Sequence, residues 1–155
     1  MTNINHKKQR YVKLLKLKYV EKKILTSNEN TELTEYLCIL SRSLDWETKD
    51  QYIDLLQQFL FGKINIATFY NDFRERCHSN LEVYQSLKAN FILLSPHEKS
   101  KEFAELMEEI TMYCVSYSEI FELELPEEKR DSHELNFRNF MEKIYVKTQK
   151  LLNED

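Results

Sequence analysis

Several residues of this sequence have side chains that could bind a metal or transfer a proton, but their spacing does not assemble a site. Di-iron centres in helical bundles need a Glu-x-x-His pair on each of two helices, and Glu75-Arg76-Cys77-His78 is the only match. Adjacent helical residues point about 100° apart, so Cys77 and His78 cannot share a metal unaided. The neighbouring carboxylates Glu108 and Glu109 are poorly placed to share a proton for the same reason. We therefore expect no metal, no cofactor and no enzymatic activity.

The composition restricts the fold class. The chain has 155 residues, 42% hydrophobic and 31% charged, which suits one soluble globular domain. One glycine and two prolines are too few for glycine-rich phosphate loops or for the turns of a many-stranded sheet. Nucleotide-binding α/β folds and hydrolases with a nucleophile elbow are thereby disfavoured.

The cysteines and the residue bias bear on the compartment. Cys38, Cys77 and Cys114 lie far apart, form no C-x-x-C pair and are odd in number, and no secretory signal is evident. We expect a reducing compartment, with each thiol packed as a small apolar core residue. Phe, Tyr, Ile, Asn and Lys outnumber Gly, Ala, Arg and Pro, which suggests an AT-rich genome. The expected location is the cytoplasm, or the interior of an organelle that encodes the protein.

Charge is unevenly distributed along the chain. Residues 1–26 carry eight basic side chains and one acidic, a net charge of +7, whereas the remainder carries a net charge of −11. The basic segment could form an electrostatic clasp with the acidic body, bind nucleic acid or a membrane, or be a solvated helix. Lysines and apolar residues scatter around the whole circumference of a helix over 7–25, which disfavours a membrane-surface helix. No stretch approaches the 18 apolar residues of a membrane span.

Apolar residues recur at three- and four-residue steps through most of the chain, which predicts helices. We expect a first helix to begin at Asn30 or Thr31, and a second helix to be capped by Asp45 and to end at Gly62. Asn65 should cap a third helix, which continues through Leu94 with a bend near residues 78–80. The sequence Ser95-Pro96-His97-Glu98 has the pattern of a capping box with proline at the first helical position, so a helix should start there. Its apolar stripe runs from Phe103 to Tyr117.

A strongly acidic segment separates this helix from the last one. Between about residues 118 and 132 the apolar pattern lapses, and we expect an extended, partly anchored loop. Asp131 with Glu134 should then begin a final helix whose stripe is Phe137, Met141, Ile144, Thr148 and Leu151.

These stripes and short links predict an all-α fold, an antiparallel up-and-down bundle of four or more helices with an extra N-terminal helical extension. Residues 1–44 would form the basic extension and the first helix, and residues 45–155 the bundle, within one globular unit. Core packing is sufficient to account for the aromatic stripes.

Two segments resemble the colicin D immunity protein family. Residues 55–73 contain Phe59-Leu60-Phe61-Gly62-Lys63-Ile64 followed closely by Phe69, which is similar to the family's helix ending and restart. Residues 106–114, the acidic segment and the amphipathic C-terminal helix extend the resemblance over about residues 46–152. An acidic residue common in the family's second stretch would fall near Thr111, and residues 1–44 are an extension that small members lack.

The resemblance implies a small helical inhibitor that occupies the basic substrate cleft of a tRNA-cleaving toxin. Carboxylates on a rigid protein can replace RNA phosphates in such a cleft. We therefore predict a non-catalytic, acidic protein-binding module whose partner is a basic protein. The alternative is a helical nucleic-acid-binding or scaffold protein that uses the basic N-terminal segment, with nucleic acid bound through residues 7–23. The predicted partner-binding residues are Glu119, Glu122, Glu124, Glu127, Glu128 and Asp131, followed by Glu108 and Glu109.

Overall fold

The described part of the chain folds into six α-helices. The computed structural model describes residues 4–122 and 127–154, with side chains described for residues 7–117 and 129–154. Within those ranges there is no strand, and the prediction of an all-α bundle is confirmed. A π-helical turn, Lys16–Val20, follows the first helix. The helices are α1 (Ile4–Leu15), α2 (Ser27–Glu47), α3 (Lys49–Leu60), α4 (Ile66–Ala89), α5 (Ser100–Glu122) and α6 (Glu127–Asn153).

The main core lies among α3, α4, α5 and α6. Helix α5 packs on α2 and α6, while α3 packs on α4 and α6. Aromatic rings fill much of this space: Phe59 meets Phe69 at 5.1 Å and Phe137 at 5.5 Å between ring centroids, within the range of favourable aromatic pairs. The fully buried Phe103, Ile110 and their neighbours fix which side of α5 faces inward.

A second, smaller cluster holds the N-terminal helix. Tyr11, Leu14 and Leu15 of α1 pack with Leu25 and Leu33, and α1 makes its main helix contact with α2. Among the described residues, the buried hydroxyl of Tyr11 has no hydrogen-bond partner. Burial, with a smaller contribution from Tyr84, raises the pKa of Tyr11 to about 12. The N-terminal helix is therefore a real part of the fold, attached through its own patch of apolar contacts.

The predictions around Gly62 and Asn65 are confirmed. Gly62 has φ +75°, its N–H donates to the carbonyl of Phe59, and the N–H of Lys63 donates to Gln58. This pair of bonds is a Schellman motif, which satisfies the last carbonyls of α3. The Asn65 side chain then accepts the N–H of Thr68 at 2.8 Å and caps α4.

Two predicted starts are wrong by a few residues. Helix α2 is opened by Thr26, which forms a capping box with Glu29, so neither Asn30 nor Thr31 is the cap. The apolar anchor Leu25 precedes this box and is buried. Helix α2 also continues through residues 44 and 45 to Glu47, so Asp45 does not cap α3.

The predicted capping box at Ser95 is wrong, because α5 begins five residues later at Ser100. The His97 ring stacks on Trp46 with centroids 4.2 Å apart, and His97 Nδ1 accepts the N–H of Lys99. The carbonyl of His97 accepts both the N–H and the hydroxyl of Ser100. A capping box contributes about 1 kcal/mol, so a contact with another helix can outweigh it.

Helix α4 runs without interruption from Ile66 to Ala89, so it ends five residues before the predicted end at Leu94. It terminates in a second Schellman motif: the N–H of Phe91 donates to Lys88, and the N–H of Ile92 donates to Leu87. Phe91 occupies the left-handed position with φ +59°, where glycine is usual. Its ring packs against the N-terminal cluster, which compensates for the strained backbone.

The predicted loop over residues 118–132 is wrong at residues 118–122 and 127–132, which are helical, and residues 123–126 lie outside the described residues. Helix α5 extends to Glu122 and α6 begins at Glu127, so Asp131 and Glu134 lie inside α6. Acidic residues favour the first turn of a helix because of its dipole, and Glu127 and Glu128 occupy that position. In the part of the chain that the structure describes, no helix has the length and apolar character needed to cross a membrane.

Candidate functional site

The outward face of α5 carries a row of glutamates. Phe103, Met107, Ile110 and Cys114 recur at three- and four-residue steps and are buried, which turns the opposite side of the helix to solvent. The exposed acidic residues among the described side chains of this helix, which we call the α5 acidic face, are Glu102, Glu105, Glu108 and Glu109. Among the described residues none of these four glutamates forms an ion pair, so their charge is available to a partner.

Apolar groups adjoin these carboxylates. Met112 is 63% exposed and Val115 is 51% exposed, one turn beyond the last glutamates. A shallow groove of about 490 Å³ brings Glu105, Glu108, Glu109 and Met112 together with Tyr113, Ser116 and Phe140. Its floor includes the stacked rings of Tyr113 and Phe140, whose centroids lie 4.2 Å apart. Met and aromatic side chains are enriched in the cores of protein interfaces, whose rims are polar.

The predicted binding residues do not all fall in one described place. Glu108 and Glu109 are exposed on the α5 acidic face. Glu119 and Glu122 belong to the last turns of α5, and Glu127 and Glu128 to the start of α6, but their side chains lie outside the described residues. Glu124 lies wholly outside them.

Asp131 is exposed on α6 and lines a different depression, of about 730 Å³, between α6 and the start of α4. Glu134 and Arg138 line the same depression, together with the exposed apolar side chain of Leu135. Asp131 is therefore placed near one acidic and one basic group. This setting differs from the purely acidic row on α5.

A polar cleft of about 670 Å³ lies between α2, α4 and α5, and Glu105 and Glu108 form part of its lining. At its base, Asn80 Nδ2 lies 3.1 Å from Asp45 Oδ1, 2.9 Å from Thr48 Oγ1 and 3.2 Å from Tyr52 Oη. Asn80 Oδ1 accepts a hydrogen bond from Arg76 at 3.1 Å. Because an amide nitrogen has two hydrogens, three acceptors compete for them, and the arrangement joins α2, α3 and α4.

Burial dominates the electrostatics of this cleft. It raises the pKa of the Asp45 carboxyl, against hydrogen bonds from Asn80 and Tyr52 that favour the charged form. It also raises the pKa of Tyr52, helped by the nearby charge of Asp45. The Cys77 thiol beside Tyr52 has its pKa raised by burial as well, which opposes formation of the nucleophilic thiolate.

The thiols occupy three different environments. Cys114 is buried in the main core, where burial raises its pKa to about 12. Cys77 is half-buried, and Cys38 is exposed on α2. The prediction that all three are core residues is therefore wrong for Cys38, which lies at the edge of the polar cleft.

Among the described residues, one ion pair joins the basic N-terminal segment to α2. Arg10 donates from Nε and Nη2 to the two carboxylate oxygens of Glu32 at 2.9 and 3.0 Å. This bidentate pair raises the pKa of Arg10 and lowers the pKa of Glu32. The other basic residues of this segment with described side chains are exposed: Lys7, Lys8, Lys13, Lys16, Lys18, Lys22 and Lys23.

Within residues 4–122 and 127–154, no group of three or more His, Cys, Asp or Glu side chains is arranged to hold a metal ion. His78, from the single Glu-x-x-His match, lies 3.2 Å from Glu82 on the surface of α4. Comparison with protein-family models, curated proteins and solved structures finds no match for this chain.

Sequence reasoning missed the polar cleft. Asp45 is separated by 35 positions from Asn80, and the hydrogen bond between them joins different helices. One local signal was present, because Asn80 lies three residues after Cys77 on the inward side of α4. An amide at such a position needs buried hydrogen-bond partners.

Proposed function

We propose that this protein is a non-catalytic binding module that docks the α5 acidic face on a basic protein. The observation that supports this most directly is the row of exposed, unpaired glutamates on one rigid helix. Exposed Met112 and Val115 continue that row. Glutamates paired with neighbouring lysines would have much of their charge satisfied within the chain.

The geometry suits electrostatic docking. Glu102, Glu105 and Glu109 follow each other at three- and four-residue steps, so their carboxylates are spread over about 10 Å of helix at the α-helical rise. A fixed row of like charges attracts a positively charged partner at distances up to about one Debye length, roughly 8 Å at physiological salt. The main effects are a faster association rate and selection against acidic partners.

Within this proposal, the partner class is the catalytic domain of a toxin that cleaves tRNA. The support is the sequence resemblance over about residues 46–152 together with the chemistry of such enzymes. A ribonuclease cleft carries basic side chains for phosphates, and a rigid row of carboxylates can occupy the same positions. Bound in the cleft, the module would exclude RNA without reacting.

The α5 acidic face can be tested by charge removal. A variant with Glu102→Gln, Glu105→Gln, Glu108→Gln and Glu109→Gln keeps side-chain size and helix propensity, so the bundle should stay folded. Cells of the native host would supply the partner, which is captured with wild-type protein and identified. Its affinity for the wild type should fall steeply with salt, and the variant should bind at least about tenfold more weakly.

A control removes two glutamate charges elsewhere on the surface. Glu35→Gln and Glu82→Gln change exposed glutamates on α2 and α4 and should leave binding within about twofold. If the quadruple variant binds the partner as tightly as the wild type, the α5 acidic face is not the docking site. If the partner is acidic, or its binding is insensitive to salt, the electrostatic mechanism is wrong.

The toxin assignment has its own test. The captured partner should cleave tRNA, and addition of this protein should stop the cleavage in a one-to-one complex. A partner without ribonuclease activity would overturn the toxin class while leaving the acidic docking face intact. The earlier prediction for Glu122, Glu124, Glu127 and Glu128 is tested by replacing all four with Gln in the same assay.

A further inference from the structure

The chain between α1 and α2 forms a fixed projection. The N–H of Glu21 donates to the carbonyl of Lys16, and the N–H of Lys23 donates to Leu17, both at 2.9 Å. Buried Leu15 and Leu25 anchor the two ends. We call this projection, with the adjoining end of α4, the basic tip, which comprises Lys16, Lys18, Tyr19, Val20, Lys22, Lys23, Ile24 and Lys88.

The basic tip exposes aliphatic side chains that a compact fold would normally cover. Ile24 is 98% exposed, Val20 is 62% exposed and Tyr19 is 46% exposed. Single exposed apolar residues are ordinary, but these three lie within six consecutive positions. Because Val20 and Ile24 are four residues apart, their Cα atoms lie within about 15 Å.

Lysines flank these apolar groups along the chain. Lys16, Lys18, Lys22 and Lys23 are exposed in the same segment, with Glu21 as its one acidic residue. Lys88 adds a fifth positive charge, since its ammonium lies 4.5 Å from the centre of the Tyr19 ring. Exposed aliphatic groups flanked by cations match a surface with anionic headgroups over hydrocarbon.

The state of Tyr19 favours lipid over single-stranded nucleic acid. Lys18 and Lys88 both lie over its ring, at 5.4 and 4.5 Å, and a hydrogen bond with Lys88 lowers the pKa of Tyr19. Stacking with a base would require at least one face of the ring to be free of these lysines. Val20 and Ile24 have no aromatic face to offer a base, whereas both can insert among acyl chains.

We propose that the basic tip binds the surface of an anionic phospholipid bilayer, with its lysines at the headgroups and Val20 and Ile24 inserted at the acyl boundary. The contact is made by the turn after α1 and not by α1 itself, whose apolar residues Tyr11, Leu14 and Leu15 are buried. It is separate from the α5 acidic face, so an anchored molecule keeps that face for a protein partner.

The test is co-sedimentation of the full chain with vesicles. The protein should bind vesicles that contain phosphatidylserine, bind phosphatidylcholine vesicles weakly, and dissociate as salt rises. Val20→Ser with Ile24→Ser should lower partitioning by at least about tenfold. Lys22→Gln with Lys23→Gln should lower it by a similar factor, since each lysine near an anionic surface contributes about fivefold. All four side chains are exposed, so the fold should be unaffected.

Matched controls lie on α6. Val146 is 60% exposed, and Lys143 and Lys147 are exposed on the same helix. Val146→Ser, and Lys143→Gln with Lys147→Gln, should leave vesicle binding within about twofold. Circular dichroism confirms that each variant is folded.

Three outcomes would overturn the proposal. One is the absence of binding to phosphatidylserine vesicles. Another is a pair of results: vesicle binding is unchanged in the Val20 and Ile24 variant, and a single-stranded RNA oligonucleotide binds through Lys22 and Lys23. That pair would assign the basic tip to nucleic acid. The third is a wild-type dimer in sedimentation velocity that becomes monomeric in the Val20 and Ile24 variant, which would assign these residues to self-association.

Discussion

Replacing Asn80 with alanine should destabilise the bundle far more than an ordinary asparagine substitution. Asn80 is 6% exposed, donates two hydrogens among Asp45, Thr48 and Tyr52, and accepts one from Arg76. A hydrogen bond contributes about 1 kcal/mol net, and a buried partner left unpaired costs somewhat more. The loss of three bonds should therefore lower the free energy of unfolding by about 3 kcal/mol.

The assay is urea unfolding followed by far-ultraviolet circular dichroism, supported by thermal melts. For a chain of this size the expected decrease in Tm is about 6 to 12 °C. Asn139→Ala is the control, because Asn139 is exposed on α6 and alanine is a better helix former. It should change the free energy of unfolding by less than about 0.5 kcal/mol.

A second substitution separates hydrogen bonding from packing. Asn80→Leu retains the branched shape and the number of side-chain heavy atoms but leaves Asp45, Tyr52 and Arg76 without their amide partner, so it should be at least as damaging as Asn80→Ala. If leucine restored wild-type stability, the loss in alanine would come from a cavity. If alanine cost less than about 1 kcal/mol, the network would not stabilise the fold.

Three other predictions concern charge, backbone and thiols. Burial raises the pKa of Asp45 in the folded state, so the wild type should lose stability as pH rises from the unfolded pKa to the folded pKa. The Asp45→Asn variant should not show that loss. The measurement is the difference between the wild-type and variant free energies of unfolding in urea across pH. A steeper loss in the variant would contradict this assignment. In Gly62→Ala the new Cβ has no atom within 4 Å, but the residue must keep φ +75°. The backbone strain should lower the free energy of unfolding in urea by about 1 to 2 kcal/mol. An unchanged unfolding midpoint would contradict this strain. With a thiol reagent at neutral pH, Cys38 should react at once, half-buried Cys77 more slowly, and buried Cys114 only after denaturant is added. Reaction of all three at the same rate would contradict these three environments.

Local backbone geometry was predictable where a residue type strongly favours one local conformation. Glycine tolerates a positive φ, which predicts the left-handed position of Gly62, and the asparagine side chain can accept a backbone N–H, which predicts the N-cap at Asn65. Both predictions are confirmed. The stripe of α5 was also correct, because helical periodicity over more than four turns is hard to mistake. The exposed glutamates of α5 follow from that stripe.

The errors came from contacts between distant parts of the chain. Ser95 has the local pattern of a cap, but stacking of His97 on Trp46 holds the segment outside the helix. The acidic stretch was assigned to a loop because its apolar pattern weakens, yet α5 continues to Glu122. The network around Asn80 joins residues up to 35 positions apart, and a single sequence carries no record of such pairs.

Because α1 is attached to α2 through a cluster separate from the main core, we expect the molecule to unfold as two cooperative units. Because Tyr11, Leu14 and Leu15 pack outside the main aromatic core, α1 can detach while α3 to α6 remain assembled. Amide protons of α1 should then exchange with solvent deuterium through this partial opening, at a lower free energy than those of α5. The N-terminal helix would exchange first, and the central amides would report the stability of the whole protein.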